Sequence, residues 1–462
     1  MRASKRLVAV ALTCLAIGLA GARPADGAEL GVVSDVTWGT SPAVVDRTVV
    51  EMRRAGVRFA RMNASWSWLE PTGAGELDGR ALAQLDYAVE RVREAGIGVL
   101  MPISHGVPYW ASGDPSRRSD AGGNHWNIHW RPREPAAYSA FVGRLVERYA
   151  PRGVHAYEVW SEPNLERFWP SGPDARDYVA LLRPAARAIR AADPRSTVVL
   201  GGLSGNDHRF LGRLYRAGAR PYFDVAAVHP YTGAVDPTLC WRQPQTRELA
   251  RDAFCAIRQV RATMVANGDA RKRIWLTEFG WSTYDGPYGV SEARQAELLG
   301  KALVKIDSAP FVERAFYYGF RNVAWLRDDR SDIEANFGLL RTDFSPKPAL
   351  AAYRSHAARQ RVSTSRCHTG QRRARARGRR ESRRGSPRCR RRAPAHRRPG
   401  RRRRGAHGLA RAGARPRRRT STCAGSPGSR TCRAPAYASA PAARLAANPA
   451  PATRSSVARA TR

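Results

Sequence analysis

The sequence predicts an α/β fold, a closed (β/α)8 TIM barrel over residues 29–358, and three observations predict it. Short apolar strands alternate regularly with longer segments of helical periodicity. Eight such units follow one another in about 330 residues, against a usual barrel length of ~250 residues plus insertions. No Gly-rich phosphate loop follows the first strand, where the competing architecture, an open doubly wound sheet, would place one.

The units run in order. Strand LGVVSDVTW leads to helix PAVVDRTVVEMRRAG, VRFARMNASW to GRALAQLDYAVERVREAG, and IGVLMPISH to PAAYSAFVGRLVERYA. VHAYEVWSEPN leads to ARDYVALLRPAARAIRAAD, STVVLGGLSG to RFLGRLYRAGA, and DVAAVHPYTG to RELARDAFCAIRQVRATMVANG. RIWLTEFGWST leads to EARQAELLGKALVKIDS, and ERAFYYGFRN to the closing PALAAYRSHAA. Glycines stop several of these helices, as at Gly56, Gly96 and Gly268. Two long insertions, WASGDPSRRSDAGGNHWNIHW after the third strand and TGAVDPTLCWRQPQ after the sixth, should wall the cleft at the barrel mouth.

The two ends of the chain are different objects. Arg2, Lys5 and Arg6 precede the apolar run LVAVALTCLAIGLA, and small residues follow, so residues 1–22 read as a secretory signal peptide whose cleavage point could extend to 28. The run has about 14 residues, short of the roughly 20 needed to span a bilayer, so a secreted protein without stable membrane insertion is expected. The formal charge of +40 is concentrated at the other end. Of 79 basic residues, 31 arginines lie in 361–462 beside one acid, Glu381, which leaves 48 basic and 38 acidic residues in the rest. That Arg-, Ala- and Pro-rich tail has one aromatic residue, Tyr437, and cannot build a core, so it is expected to be disordered. It has three readings: a cationic arm that binds polyanions or nucleic acid by counterion release, a linker, or an out-of-frame translation of a GC-rich gene. The third is preferred, and the barrel itself is expected to bind no nucleic acid. Cys240 and Cys255 flank one short segment; an oxidising compartment would allow them to pair, and two buried thiols are the alternative.

In such a barrel the chemistry sits at the carboxyl ends of the strands. Polar and aromatic residues gather there: Arg61 and Trp66 after the second strand, His105 after the third, Ser161, Glu162 and Asn164 after the fourth, His229 and Tyr231 after the sixth, Glu278 and Trp281 after the seventh. The two glutamates face one another across the mouth. Such a pair suits cleavage of an acetal, one carboxyl arriving protonated and the other ionised. A gap of about 5 Å implies a covalent intermediate and retention, and one nearer ~8 Å implies inversion. Activity should then follow a bell in pH. Glu158 shares a strand face with Trp160 and Glu162 by period-two alternation, lies too deep to act on substrate, and should meet Arg or His partners inside the barrel. Trp110, Trp160, Trp281 and Trp325 are candidate sugar-stacking platforms or ordinary core residues. His105, His125, His129 and His229 lack metal-ligand spacing, so no metal and no other cofactor is expected.

At these residues the chain resembles the retaining (β/α)8 glycoside hydrolase clan, especially families 39 and 5, over about residues 29–358. WSEPN matches the clan's Asn-Glu-Pro signature and LTEFGW its Thr-Glu-Phe-Gly signature, so the resemblance implies Glu162 as acid/base and Glu278 as nucleophile. It further implies Arg61 with Trp66 near the nucleophile, and His229 with Tyr231 orienting it; FGLLRTDFSPKPAL is a family-like ending. Ser161 departs from the usual Asn, which reaches the sugar 2-hydroxyl. The implied activity is hydrolysis of a β-linked oligo- or polysaccharide, and a monomer is expected. A carbohydrate-binding barrel of weak or no activity is the alternative.

Overall fold

The computed structural model describes residues 27–360 except 35, 38, 105, 115–129, 245 and 324–329. The expected leader, the Arg-rich tail, His105, His125, His129 and Trp325 lie outside the described residues.

Among the described residues nine strands form one sheet: β1 (Glu29–Val33), β2 (Phe59–Arg61), β3 (Ala64–Ser65), β4 (Gly98–Ser104), β5 (Ala156–Ser161), β6 (Thr197–Ser204), β7 (Val225–His229), β8 (Arg273–Phe279) and β9 (Val312–Tyr317). All their pairings are parallel. β2 and β3 are two pieces of one stave, since both pair with β4, at Phe59↔Gly98 and Ala64↔Ile103. β2 also pairs with β1, which closes the sheet on itself as an eight-stave barrel.

The helices are α1 (Pro42–Ala55), α2 (Trp66–Leu69), α3 (Gly79–Glu94), α4 (Pro135–Tyr149), α5 (Ala175–Ala192), α6 (His208–Arg216), α7 (Ile257–Ala266) and α8 (Glu292–Asp307), with a closing helix over 348–360. Several start on a side-chain cap: Asp78 accepts from Ala81 N, Asp174 from Arg176 N, Asp207 from Phe210 N and Ser291 from Arg294 N. Each such cap stabilises its helix by about 1 kcal/mol. The left-handed φ of 82° at Gly56 ends α1 as expected.

Two buried layers result. Val33, Leu100, Val199, Trp275 and Phe316 fill the barrel interior, and residues such as Met52, Phe141, Leu182 and Leu298 pack between staves and helices. Each fully buried Leu or Phe in them contributes roughly 1.5–3 kcal/mol. The sixth unit differs from expectation. Its helix begins only at Ile257, after a 3-10 turn at Phe254–Ala256. Residues before it fold back instead, with Gln243 N on Glu248 O and Ala250 N on Trp241 O. A Cys240–Cys255 disulfide, Cα atoms 5.9 Å apart, closes this segment. Among the described residues no helix is long and apolar enough to cross a membrane.

Candidate active site

The site is built from the barrel floor upward. Glu158 points inward from β5 and is fully buried, so its charge requires partners. Its Oε2 accepts from Arg61 Nε at 2.7 Å, and its Oε1 accepts from Gly202 N at 2.8 Å and Thr277 Oγ1 at 3.2 Å. The Arg partner expected from the sequence is therefore present. Arg61 continues the chain of contacts, donating from Nη1 to Glu278 Oε1 at 2.6 Å and from Nη2 to Ser161 Oγ at 3.4 Å. Burial disfavours the guanidinium charge, but Glu158 and Glu278 outweigh it and hold Arg61 cationic.

Backbone irregularities at the strand ends aim the side chains above this floor. Trp160 has φ 70° and Glu162 φ 47°, left-handed values that cost non-glycine residues of order 1–3 kcal/mol where surroundings enforce them. The first breaks the strand alternation: Trp160 packs edge-on against Tyr138 of α4 and Trp169, while Ser161 turns inward to Arg61. On β8 the register with β9 shifts between Leu276 and Phe279. The adjacent Thr277 and Glu278 both engage residues of the barrel interior and mouth. Gly202 makes room beneath: a Cβ there would lie 2.1 Å from His229 Nε2 and 2.6 Å from Thr277 Oγ1. Its carbonyl accepts from Glu162 N at 2.9 Å.

Glu162 and Glu278 meet at the mouth, their side chains 12% and 14% exposed. His229 Nδ1 lies 2.9 Å from Glu162 Oε1 and 3.5 Å from Glu278 Oε2, and its Nε2 lies 3.0 Å from Thr277 Oγ1. The Tyr231 hydroxyl donates to Glu278 Oε2 at 2.9 Å. One oxygen of each glutamate lies within 4.8 Å of the other. Burial alone would push the imidazole toward neutrality, but the charge of Glu278 and the hydrogen bond and charge of Glu162 outweigh it and raise the His229 pKa above the ordinary histidine value. Burial and the Glu278 charge keep Tyr231 a hydroxyl, and so a donor. Glu162, His229 and Glu278 are metal-ligating residue types within reach of one another. Both oxygens of Glu278 already accept from Arg61 and Tyr231, however, and the guanidinium charge opposes a cation there.

Other predicted site residues are placed differently. Trp66 is 1% exposed, stacked on Phe141 and donating from Nε1 to Glu70 Oε2 at 2.6 Å. It belongs to the layer between barrel and helices. Trp281 is 2% exposed and donates to Thr232 Oγ1 at 3.1 Å, so it offers no face to a sugar. Asn164 is also buried, its amide donating to Ser204 O and Asp207 Oδ2 and accepting from Ser204 N. It anchors its loop to β6 rather than a ligand. Trp110 is partly buried, edge-on to Trp66 with Nε1 on Glu70 O at 3.0 Å. Three participants escape the sequence: Thr277, hidden beside the conspicuous Glu278, Tyr318 and Glu334. Tyr318 packs edge-on against Tyr231 and donates to Glu334 Oε2 at 3.1 Å. Burial, with the charges of Glu278 and Asp332, pushes Glu334 up to about 7 against the opposing effects of Arg167 and the Tyr318 hydroxyl. That third carboxylate is within electrostatic range of Glu278.

Comparison with known proteins then decides the family. Residues 105–359 match the model for glycosyl hydrolases family 39. The chain belongs to this family. It is 24% identical over 222 residues to a beta-xylosidase of Geobacillus stearothermophilus, which covers 46% of this chain and 44% of that protein. A family 39 glycoside hydrolase from the gut symbiont Bacteroides cellulosilyticus WH2 superposes with a TM-score of 0.56 at 21% identity, covering 72% of this chain and 64% of that one. A GH5_18 protein from Streptomyces cattleya, solved with GlcNAc, gives 0.57 at 18% identity over 72% of this chain and 80% of that one. The chain thus spans less than half of the curated relative's length, and the structural likenesses speak to the barrel fold.

Proposed function

We propose that this family 39 protein is an exported glycoside hydrolase that cleaves a β-linked sugar with retention, residues 29–358 being the catalytic unit. The observation that carries the proposal is the carboxylate pair: one oxygen of each lies within 4.8 Å of the other, which is in keeping with the short spacing of double displacement rather than the roughly 6.5–9.5 Å that leaves room for a water. Glu278, fixed by Arg61 and Tyr231, is the nucleophile. It attacks the anomeric carbon while Glu162 gives its proton to the departing glycosidic oxygen. Glu162 then takes a proton from water, whose oxygen displaces Glu278 from the same carbon. Two inversions leave the configuration unchanged. The relative named beta-xylosidase makes β-xylosides the first substrates to test. The disulfide favours export, since such bonds persist in oxidising compartments.

The test is Glu278→Ala assayed on 4-nitrophenyl β-D-xyloside and a panel of other aryl β-glycosides. Turnover should fall by on the order of 10⁴-fold or more. Added azide should restore part of it and yield a glycosyl azide of inverted configuration. Turnover that survives the substitution removes Glu278 from the mechanism.

A further inference from the structure

Glu158 lies too deep to touch a sugar, yet its hydrogen bonds reach both carboxylates at the mouth. One arm runs from Oε2 through Arg61 to Glu278, and the other from Oε1 through Thr277 and His229 to Glu162. Among the described residues, every hydrogen-bond partner of Glu158 is a donor: Arg61 Nε, Gly202 N and Thr277 Oγ1. This fixes the direction of the second arm. The Thr277 proton is committed to Glu158, so Thr277 Oγ1 presents a lone pair to His229 Nε2, which must carry hydrogen.

We propose that Glu158 is a positioning residue for the reaction, one that locks the Nε2–H form of His229 through Thr277 and so retains the dissociable proton between His229 Nδ1 and Glu162 Oε1. This rests on Glu162 being the acid. If the Glu162–His229 pair loses that proton in the intact network, one of two clashes follows. With hydrogen left on Nε2, the Nδ1 lone pair faces an ionised Glu162 at 2.9 Å; with hydrogen left on Nδ1, the Nε2 lone pair faces that of Thr277 at 3.0 Å. Both are buried, where unpaired acceptors are costly. The groups facing the ring are Glu162 from the end of β5, Glu278 from β8, Arg61 from β2 and, through Thr277, Glu158. The pair therefore keeps its proton to higher pH than a free imidazole does, in keeping with the raised affinity of His229. The titration belongs to the pair and not to either residue.

Two substitutions release the lock by different routes. In Glu158→Gln, with the amide oxygen kept on the Arg61 cation, the NH2 takes the place of Oε1: Thr277 then accepts from it and donates to His229 Nε2, while the Gly202 N–H loses its acceptor. Thr277→Val removes the lone pair and leaves the Glu158–Arg61 arm intact. In both, His229 can hold its proton on Nδ1 and donate to an ionised Glu162. The alkaline limb of kcat/KM should move down by about one pH unit, and glycosides with poor leaving groups should lose ~10²-fold while activated aryl glycosides lose less than ~10-fold. Thr277→Ser should restore the wild-type profile, which a purely structural effect of removing the side chain's bulk would not predict.

A second measurement is independent of turnover. The ¹⁵N spectrum of histidine-labelled protein, with the ring assigned by its disappearance in His229→Asn, should show Nε2 protonated across the titration in wild type and Nδ1 protonated at high pH in both variants. An unchanged tautomer in folded Thr277→Val overturns the proposal, as does an unchanged alkaline limb. Glu162→Gln separates the two readings. If it fails to abolish the alkaline limb on an activated substrate, the assignment of Glu162 as acid is wrong. If it abolishes that limb while Glu158→Gln and Thr277→Val leave the limb in place, only the role of Glu158 is wrong.

Discussion

The barrel mouth and the layer behind β5 are assembled from neighbouring residues of the same short strand, but they do opposite things with them. On the inner side, Glu158, Ser161 and Glu162 join Arg61, His229, Tyr231 and Glu278 in a chain of charge-assisted hydrogen bonds. On the outer side, Trp160 joins Tyr138, Trp169, Trp66 and Trp110 in a run of edge-on rings, with Phe141 stacked on Trp66. One residue in the left-handed region, Trp160, divides them. The indoles near this cleft support the wall, whereas Glu162 and Glu278 reach the space where a sugar would bind and Glu158 and Arg61 lie buried beneath them.

Changes on the two sides should therefore separate. The largest effect belongs to the inner side. Glu162→Gln should lower kcat/KM by ~10²–10⁴-fold on glycosides whose leaving group needs a proton, and far less on activated ones; its urea midpoint should stay near wild type. Comparable losses on both substrate kinds would show that Glu162 does not supply the proton to the leaving group. On the outer side, Trp66→Ala should cost about 3–5 kcal/mol of stability in urea unfolding. Its KM for a monosaccharide aryl glycoside should remain within about twofold, because the indole contributes packing and not uniform substrate binding. A large rise in KM with little loss of stability would move Trp66 back into the cleft. The smallest effect concerns Glu334. A carboxyl whose folded pKa is raised to about 7 stabilises the fold less as pH climbs from the ordinary glutamate range through that value, because the unfolded chain ionises first. Wild type should lose stability across that window, and Glu334→Gln should not. Equal slopes for the two proteins would show that Glu334 ionises normally.

The same contrast explains what was legible in the sequence. Eight strand-helix units and a glutamate at the end of each of two staves follow from periodicity and from the rule that barrel chemistry gathers at carboxyl ends. Glu158 was legible as a buried residue seeking an arginine for the same reason. Trp66, Trp281 and Asn164 were not legible, since a side chain at a strand end can face either layer. Local backbone turns decide which, and periodicity is silent on them. Trp160 shows this most clearly: alternation puts it on the face of Glu158, and φ 70° takes it off. The register shift in β8 similarly brings Thr277 and Glu278 to the interior together, where strict alternation would choose one. Irregularities of this kind re-aim side chains next to sites, and nothing in a residue pattern announces them. The sixth helix is shorter than its pattern predicts, because the helical propensity of RELARDAFCA gives way to the disulfide-closed fold-back.

The proposed mechanism places the bond to the sugar on Glu278. A 2-deoxy-2-fluoro β-glycoside with an activated leaving group slows release of a covalent glycosyl-enzyme more than its formation, so the intermediate accumulates. Intact-mass measurement after brief exposure should show one sugar added per chain, and peptide mapping should place it on Glu278. A sugar attached to Glu162, or hydrolysis of the natural-sugar analogue to the inverted anomer with no adduct at all, would contradict it.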